Sequence, residues 1–391
     1  VPTLEAVHAE RRTAEVVDPD ARRVLVAPVT VTPTKPLTPS HLKGLLWTDV
    51  LHRATAPLAR VTHRSSHSAF DACEQTVGFW AHLDRVLGDV DYSRMSEDDI
   101  GGLYREFRAE DRRPTAADCA PYLEAIEQHG WVHPASARLL RVWREQYRAL
   151  GLHDPGLTEH QPPGMGLEEA IDLLGGLDLC LDLRRDGGPV YLDATRHGVP
   201  LRVVVGADGR PNYLACALRD LLPLAREHDE VVLLHDRELE PDYLLLQRVL
   251  SRLGVLVHRV PLGRVPIDGR IASARHGGWR GLGAADLLAG LGDRFSPAEL
   301  RLGLRLYFIA LLGPGAHDSF RHDLLDRALG KARRLLDSAA DTGREEALAV
   351  LAAHRGRDGA HAHVDPYRLT SGLLARRRGA PPRALLEEVY G

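Results

Sequence analysis

A chain of 391 residues, 44% hydrophobic and 27% charged, is long enough to bury the cores of two or three domains and too apolar to be disordered. Its formal charge of −4 gives the whole molecule no electrostatic bias toward DNA or an anionic membrane, and no run approaches the ~18 apolar residues of a bilayer span. Cys73, Cys119, Cys180 and Cys216 are widely separated, which indicates neither a zinc ribbon nor a disulfide framework; with a polar, charged N-terminal stretch, a reduced cytoplasmic protein is expected.

Residues 23–31 (RVLVAPVTV) read as a buried strand, and 41–59 show helical spacing in Leu42, Leu45, Leu46, Val50 and Leu51. A proline-rich turn, PTKPLTPSHLKG at 33–44, joins them. The 50 Lys+Arg include only three lysines, and two of these, Lys35 and Lys43, flank His41. In a chain whose cations are otherwise arginine, that pairing marks a site for compact point charges, as phosphate groups require. A short strand at 60–62 and an amphipathic helix over 69–87 come next. Residues 92–151 are helical and polar with no strand signal, an inserted module, and 153–166 (HDPGLTEHQPPGMG) form a linker. Strands return at 189–193, 201–205, 230–235 and 255–260, interleaved with helices at 213–227 and 242–253. Strand and helix alternation on both sides of an insertion predicts an α/β protein with a split, Rossmann-like, parallel doubly wound sheet. Residues 281–391 are helical throughout, with the charge pattern of a bundle. The expected boundaries are 1–90 and 167–280 for the two halves of the Rossmann-like domain, 91–166 for the helical insertion and linker, and 281–391 for a C-terminal helical domain.

The turn at 33–44 resembles the first signature of the class I aminoacyl-tRNA synthetases, most closely the arginyl branch, where P-T-x-P-L-H-x-G-H-L-[KR]-G joins the first strand and helix. Pro33, Thr34, Pro36, Leu37, His41, Leu42, Lys43 and Gly44 match in register, while Thr38, Pro39 and Ser40 replace the family's first histidine and its glycine. A second likeness is Asp208-Gly209 followed by Tyr213-Leu214, with Asp236 in the position of the family's G-A-D-[QH] aspartate and Gln247 on the next helix. The aspartate that would read a guanidinium falls on Ala217, and Asp220 lies three residues further on, so arginine is poorly supported as substrate. The third is the loop IDGRIASARHG at 267–277, similar to K-M-S-K-S, in which Arg270 and Arg275 keep cationic positions and Ser273 replaces the second lysine. The resemblance spans 24–333 and implies a class I catalytic core that uses ATP with Mg²⁺. It places Thr34, Lys35, Thr38, His41, Gly44 and Ser273 around the nucleotide, with His41, Lys43, Arg270 and Arg275 as the groups that stabilise charge on the phosphates. Ser66, His67, Tyr213, Asp236 and Gln247 are expected around the amino acid, and His63 near the end of the second strand.

The first signature begins at Pro33, and residues 277–391 leave little beyond connecting helices, so the family's N-terminal and anticodon-binding domains are not expected. Together with the near-neutral charge this argues against tRNA as a partner. The leading expectation is a tRNA-independent ligase that activates an amino acid as its adenylate and transfers it to a small-molecule amine. A synthetase-like pseudoenzyme serving as a binding subunit and an aminoacyl-tRNA-dependent acyltransferase are the other two readings. The histidine-rich stretches HDSFRHD (His317, His322) and DGAHAHVD (His361, His363) read as a surface helix start and a polar loop, so no metal site is expected; Arg376, Arg377 and Arg378 read as solvated surface.

Overall fold

The computed structural model describes residues 21–27, 31–64, 72–111, 113–159, 162–271, 281–315, 318–356, 361–375 and 380–391. Strand β1 (Arg23–Ala27) leads through α1 (Pro39–Thr55) to β2 (Arg60–Thr62). Helices α2 (Glu74–Leu87), α3 (Glu97–Ala109), α4 (Ala116–His129), α5 (Pro134–Leu150) and α6 (Leu167–Gly176) follow. Three short strands, β3 (Cys180–Asp182), β4 (Val190–Leu192) and β5 (Arg202–Val205), precede α7 (Tyr213–Ala225), β6 (Glu230–Asp236), α8 (Glu240–Arg252) and β7 (Leu256–Leu262). Beyond them lie α9 (Ala284–Gly292), α10 (Pro297–Arg305) with a π-helical continuation at Leu306–Leu311, α11 (His322–Asp337), α12 (Arg344–Ala353), α13 (Pro366–Leu374) and α14 (Arg383–Tyr390). Among the described residues no helix is long and apolar enough to cross a membrane.

Four strands form a parallel sheet in the order β2-β1-β6-β7. The near-continuous apolar runs of β1 and β6 suit central strands covered on both faces. Alternation does the sorting. Val24, Val26, Val232 and Leu234 point into a core shared with Leu46 and Val50 of α1 and with Tyr307 and Phe308, whereas Leu25, Ala27, Val231 and Leu233 meet Leu218 and Leu222 of α7 and Leu246 and Val249 of α8. The C-terminal helices therefore cover one face of the sheet, sharing its core. A third cluster, built on Phe79, Trp80, Tyr104 and Phe107, holds α2 to α5 together.

One expectation needs correction. The runs at 189–193 and 201–205 do not join the parallel sheet; with β3 they make a separate antiparallel sheet, β3-β4-β5. The reason is the length of the connections: 183–189 and 193–201 hold only short turns closed by Gly187 and Gly198 at positive φ, and a parallel return needs a crossover of a dozen or more residues. Helix α1 also starts two residues earlier than its apolar spacing implies, because Thr38 stands extended at the N-cap position with its N–H bonded to His41 and Pro39 sits in the first turn.

A buried ion pair fastens these layers. Asp49 of α1 accepts from Arg305 of α10 at 2.5 Å, and the fully buried Arg305 guanidinium also donates to the carbonyls of Leu150 and Gly151. Arg53 completes the arrangement by bonding Asp49 at 3.0 Å and the Gly151 carbonyl at 2.8 Å.

Candidate functional site

Crossovers leave the central β1/β6 pair in opposite directions, β1 through α1 to β2 and β6 through α8 to β7. In open parallel sheets, the crevice outside the carboxyl ends of the strands at such a reversal is where ligands bind. Here it is bordered by the first turn of α1, by Asp236 and Arg237 at the end of β6, and by the segment that follows β7.

The first turn of α1 folds back on itself. Thr38 is extended (φ −80°, ψ 167°) and donates its backbone N–H to His41 Nδ1 at 3.1 Å, with its hydroxyl 3.3 Å from the same nitrogen. Accepting that bond places the proton of the neutral ring on Nε2. Burial, with the nearby cations Lys35 and Arg264 adding to it, lowers the His41 pKa to about 3, so the imidazole is neutral at physiological pH. Ser40 Oγ accepts the Val265 N–H at 3.0 Å and ties the helix start to the exit of β7. The residues that depart from the family signature thus have local tasks: Thr38 holds the N-cap position and orients His41, Pro39 opens the helix without losing a donor, and Ser40 anchors.

The two lysines part company. Lys35 lies 5.3 Å over the ring of Tyr104 in α3. The inserted helices mould the turn that carries it: Ser136 of α5 donates to the Pro33 carbonyl at 2.9 Å, and Gly101 of α3 sits where a Cβ would come within 2.8 Å of Pro36. Lys43 is only 1% exposed, and its Nζ donates to the carbonyls of Gly263 at 3.0 Å and Gly315 at 2.6 Å. Burial and then Arg237 lower it to about 8, against the pull of Asp236 and Asp318. Expected among the phosphate contacts, Lys43 instead pins two loops from below. Thr34 is fully buried beside Thr32, and Gly44 lies inside α1 with its carbonyl accepting from Thr48 Oγ1 at 2.9 Å.

Of the residues expected around an amino acid, Asp236 stands at the crevice. It caps the following turn through the Glu238 N–H at 3.1 Å and is paired with Arg264 at 2.5 Å; Arg264 also meets Glu238 at 2.7 Å. Arg264 was not singled out from sequence, although its place directly after β7, at the carboxyl edge, was the available signal. Tyr213 donates its hydroxyl to Asp242, which Arg202 holds at 2.8 Å. Gln247 bonds the Val257 carbonyl at 3.0 Å and accepts from Arg259 at 2.8 Å, so its amide is engaged toward the amino-terminal half of β7, away from the crevice. Ala217 is buried, and Asp220 accepts the Gly164 N–H at 3.3 Å. His63 packs with His52 and His153, with ring centroids 5.8 and 5.4 Å away. Arg270 is exposed at the end of a tight hairpin, where the Ile267 and Arg270 backbones exchange bonds of 2.8 and 3.0 Å across Asp268 and Gly269, both at positive φ. Ser66, His67, Ser273 and Arg275 lie outside the described residues.

No protein-family model and no curated protein matches the chain. Solved structures do. Thermus thermophilus arginyl-tRNA synthetase superimposes with a TM-score of 0.60 at 15% identity over 99% of this chain and 82% of that one. A Campylobacter jejuni structure assigned as an arginyl-tRNA synthetase gives 0.52 at 14% identity, covering 94% of this chain and 89% of the other. Plasmodium falciparum arginyl-tRNA synthetase gives 0.52 at 12% identity, covering 85% and 64% respectively. The chain has a class I synthetase-like fold, similar to that of the arginyl enzymes across nearly its whole described length.

Proposed function

We propose, from the premise of a synthetase-like fold, that the protein is an ATP-dependent ligase that activates an amino acid as its adenylate and passes it to a small-molecule amine without tRNA. The observation that carries this reading is the N-terminus of α1 at the carboxyl ends of β1 and β6, with Lys35 and Arg264 beside a neutral His41. A helix N-terminus flanked by cations suits a polyphosphate. We read the parallel strands, interrupted between β2 and β6, as a split Rossmann-like core.

ATP with Mg²⁺ fits this donor set: Thr38, His41 and Lys35 would hold phosphates, Arg270 would face the departing pyrophosphate, and the metal would be held largely by the nucleotide and water. As co-substrate, ATP supplies the α-phosphorus that the carboxylate oxygen attacks as the bond to pyrophosphate breaks. The chain's part is positioning and charge. A neutral His41 offers a hydrogen bond from Nε2 without titrating, and Asp236 offers a carboxylate to the substrate ammonium, with Arg264 as its partner until then. The acceptor amine then bonds the acyl carbon as AMP leaves, its surplus proton passing to solvent. The near-neutral net charge of −4 supports a small acceptor over a long polyanion.

A second reading, a synthetase fold kept as a binding subunit, draws on the pairs Tyr213–Asp242, Gln247–Arg259 and Asp236–Arg264, which satisfy within the protein the side chains assigned to an amino acid. Amino-acid-dependent exchange of labelled pyrophosphate into ATP separates the two. Exchange with a narrow set of amino acids in the absence of tRNA is the expected result. ATP binding by calorimetry without exchange would favour the binding subunit, and dependence on charged tRNA an acyltransferase; the absence of both exchange and ATP binding would sink the proposal.

A further inference from the structure

A second cluster of chemically capable side chains lies at the other end of the sheet. Glu230, the first residue of β6, is 0% exposed. Its carboxylate accepts the Ala362 N–H at 2.8 Å and the His363 N–H at 3.3 Å, and its Oε1 touches His363 Nδ1. His258, in register with Val232 on the neighbouring strand, places Nε2 4.0 Å from the same Oε1. The ring of His361 meets that of His258 edge-on at 3.9 Å, and the centroids of His258 and His363 are 5.1 Å apart.

Hydrogen bonding accounts for part of this arrangement and leaves a remainder. It explains Glu230 and His363. It does not explain His258 Nε2 or His361 Nδ1, both buried and both without a hydrogen-bond partner. Each such buried atom costs about 1–3 kcal/mol when unsatisfied. The ligand atoms of Glu230, His258 and His363 all lie within 4.8 Å of one another. A cation among them would satisfy the orphaned His258 nitrogen and the carboxylate together, while the orphaned His361 nitrogen lies outside that group, on a ring set edge-on against His258.

We propose that Glu230, His258 and His363 bind a divalent transition-metal ion of the zinc class, with the His361 ring turning inward on binding to supply a fourth ligand. The donor set decides the metal: imidazole nitrogens with one carboxylate suit Zn²⁺ and its neighbours, whereas Mg²⁺ and Ca²⁺ require mostly oxygen ligands. Zinc–nitrogen bonds of about 2.0–2.1 Å in tetrahedral geometry bring ligand atoms to roughly 3.3 Å, so the 4.0 Å gap between His258 and Glu230 closes with a small side-chain movement. With His361 turned in, four protein ligands leave no open position, which makes the site structural. It fastens the segment before α13 to the amino ends of β6 and β7. At about 3.3 Å per residue, the length of β6 separates it from the crevice by roughly 20 Å.

The test uses the full chain without a polyhistidine tag, loaded with Zn²⁺ or Co²⁺ alone. One equivalent of zinc is expected after gel filtration, with visible ligand-field bands in the cobalt form. His258→Ala and His361→Ala should each weaken Zn²⁺ binding by at least about tenfold, and chelation should lower the Tm of the wild type but not of either variant. These two variants leave the Glu230–His363 contacts in place, so they report on the metal even if Glu230→Gln fails to fold. Failure of the wild type to bind either ion at micromolar concentrations, or binding unaltered in both variants, overturns the proposal.

Discussion

Lys35 and Lys43 leave one short turn in different directions, and their substitutions should separate accordingly. Lys43→Met removes two charge-assisted bonds and strands the Gly263 and Gly315 carbonyls, so urea unfolding should show a loss of about 2–4 kcal/mol. Lys35→Ala removes a charge beside the helix N-terminus and leaves the core intact; nucleotide affinity should fall about tenfold by calorimetry, with Tm nearly unchanged. A large Tm loss in the Lys35 variant would undo that distinction. Composition identified the turn but not the roles, although helix geometry limits them. His41 and Lys43 are two positions apart, about 200° around α1, so one facing the crevice turns the other inward. Residue type alone carries no information about depth. The same limit applies to Tyr213, legible by its register with a family motif, and to Gln247, legible by its place on the helix that follows, while their partners Asp242 and Arg259, on other elements, were not.

Among the elements, α1 is the one on which the rest converge, because it borders the crevice at one end and carries Asp49 into the buried pair with Arg305 toward the other. Removing one member of such a pair leaves an uncompensated buried charge. Arg305→Leu should cost about 3–5 kcal/mol in urea unfolding, and Asp49→Leu combined with Arg305→Leu should recover part of that loss. Strict additivity of the two would contradict the pairing. Strands and helices were legible from periodicity: residues 60–62 are β2 as read, and β6 and β7 lie within two residues of expectation. The antiparallel β3-β4-β5 sheet was missed because a short apolar run does not announce its partner, although the lengths of its connections do. Asp49 and Arg305 gave no signal, since each sits in an ordinary amphipathic helix and 256 residues separate them.

For the whole molecule, the histidines packed along α1 predict how stability follows pH. Burial first, and then neighbouring imidazoles, lower His63 to about 3 and His52 to about 4. Unfolded imidazoles take up protons near pH 6.5, so below that value the unfolded chain binds more protons than the folded one. The stability contributed by keeping these rings neutral is complete above about pH 6.5 and is lost as pH falls toward 4, by about 1–2 kcal/mol per histidine at pH 5 once partial exposure is discounted. Tm should drop between pH 7.5 and 5.0, and His63→Leu should flatten that slope; an unchanged slope would remove His63 from the account. Glu230 has a different consequence, one that concerns the order of synthesis. The amide of Ala362 that covers its carboxylate is made 132 residues after Glu230 itself. On the ribosome, the central strand therefore waits, its acidic end uncovered, through the making of α8, β7 and most of the C-terminal helices. The floor of the sheet is closed only after that whole stretch has been made.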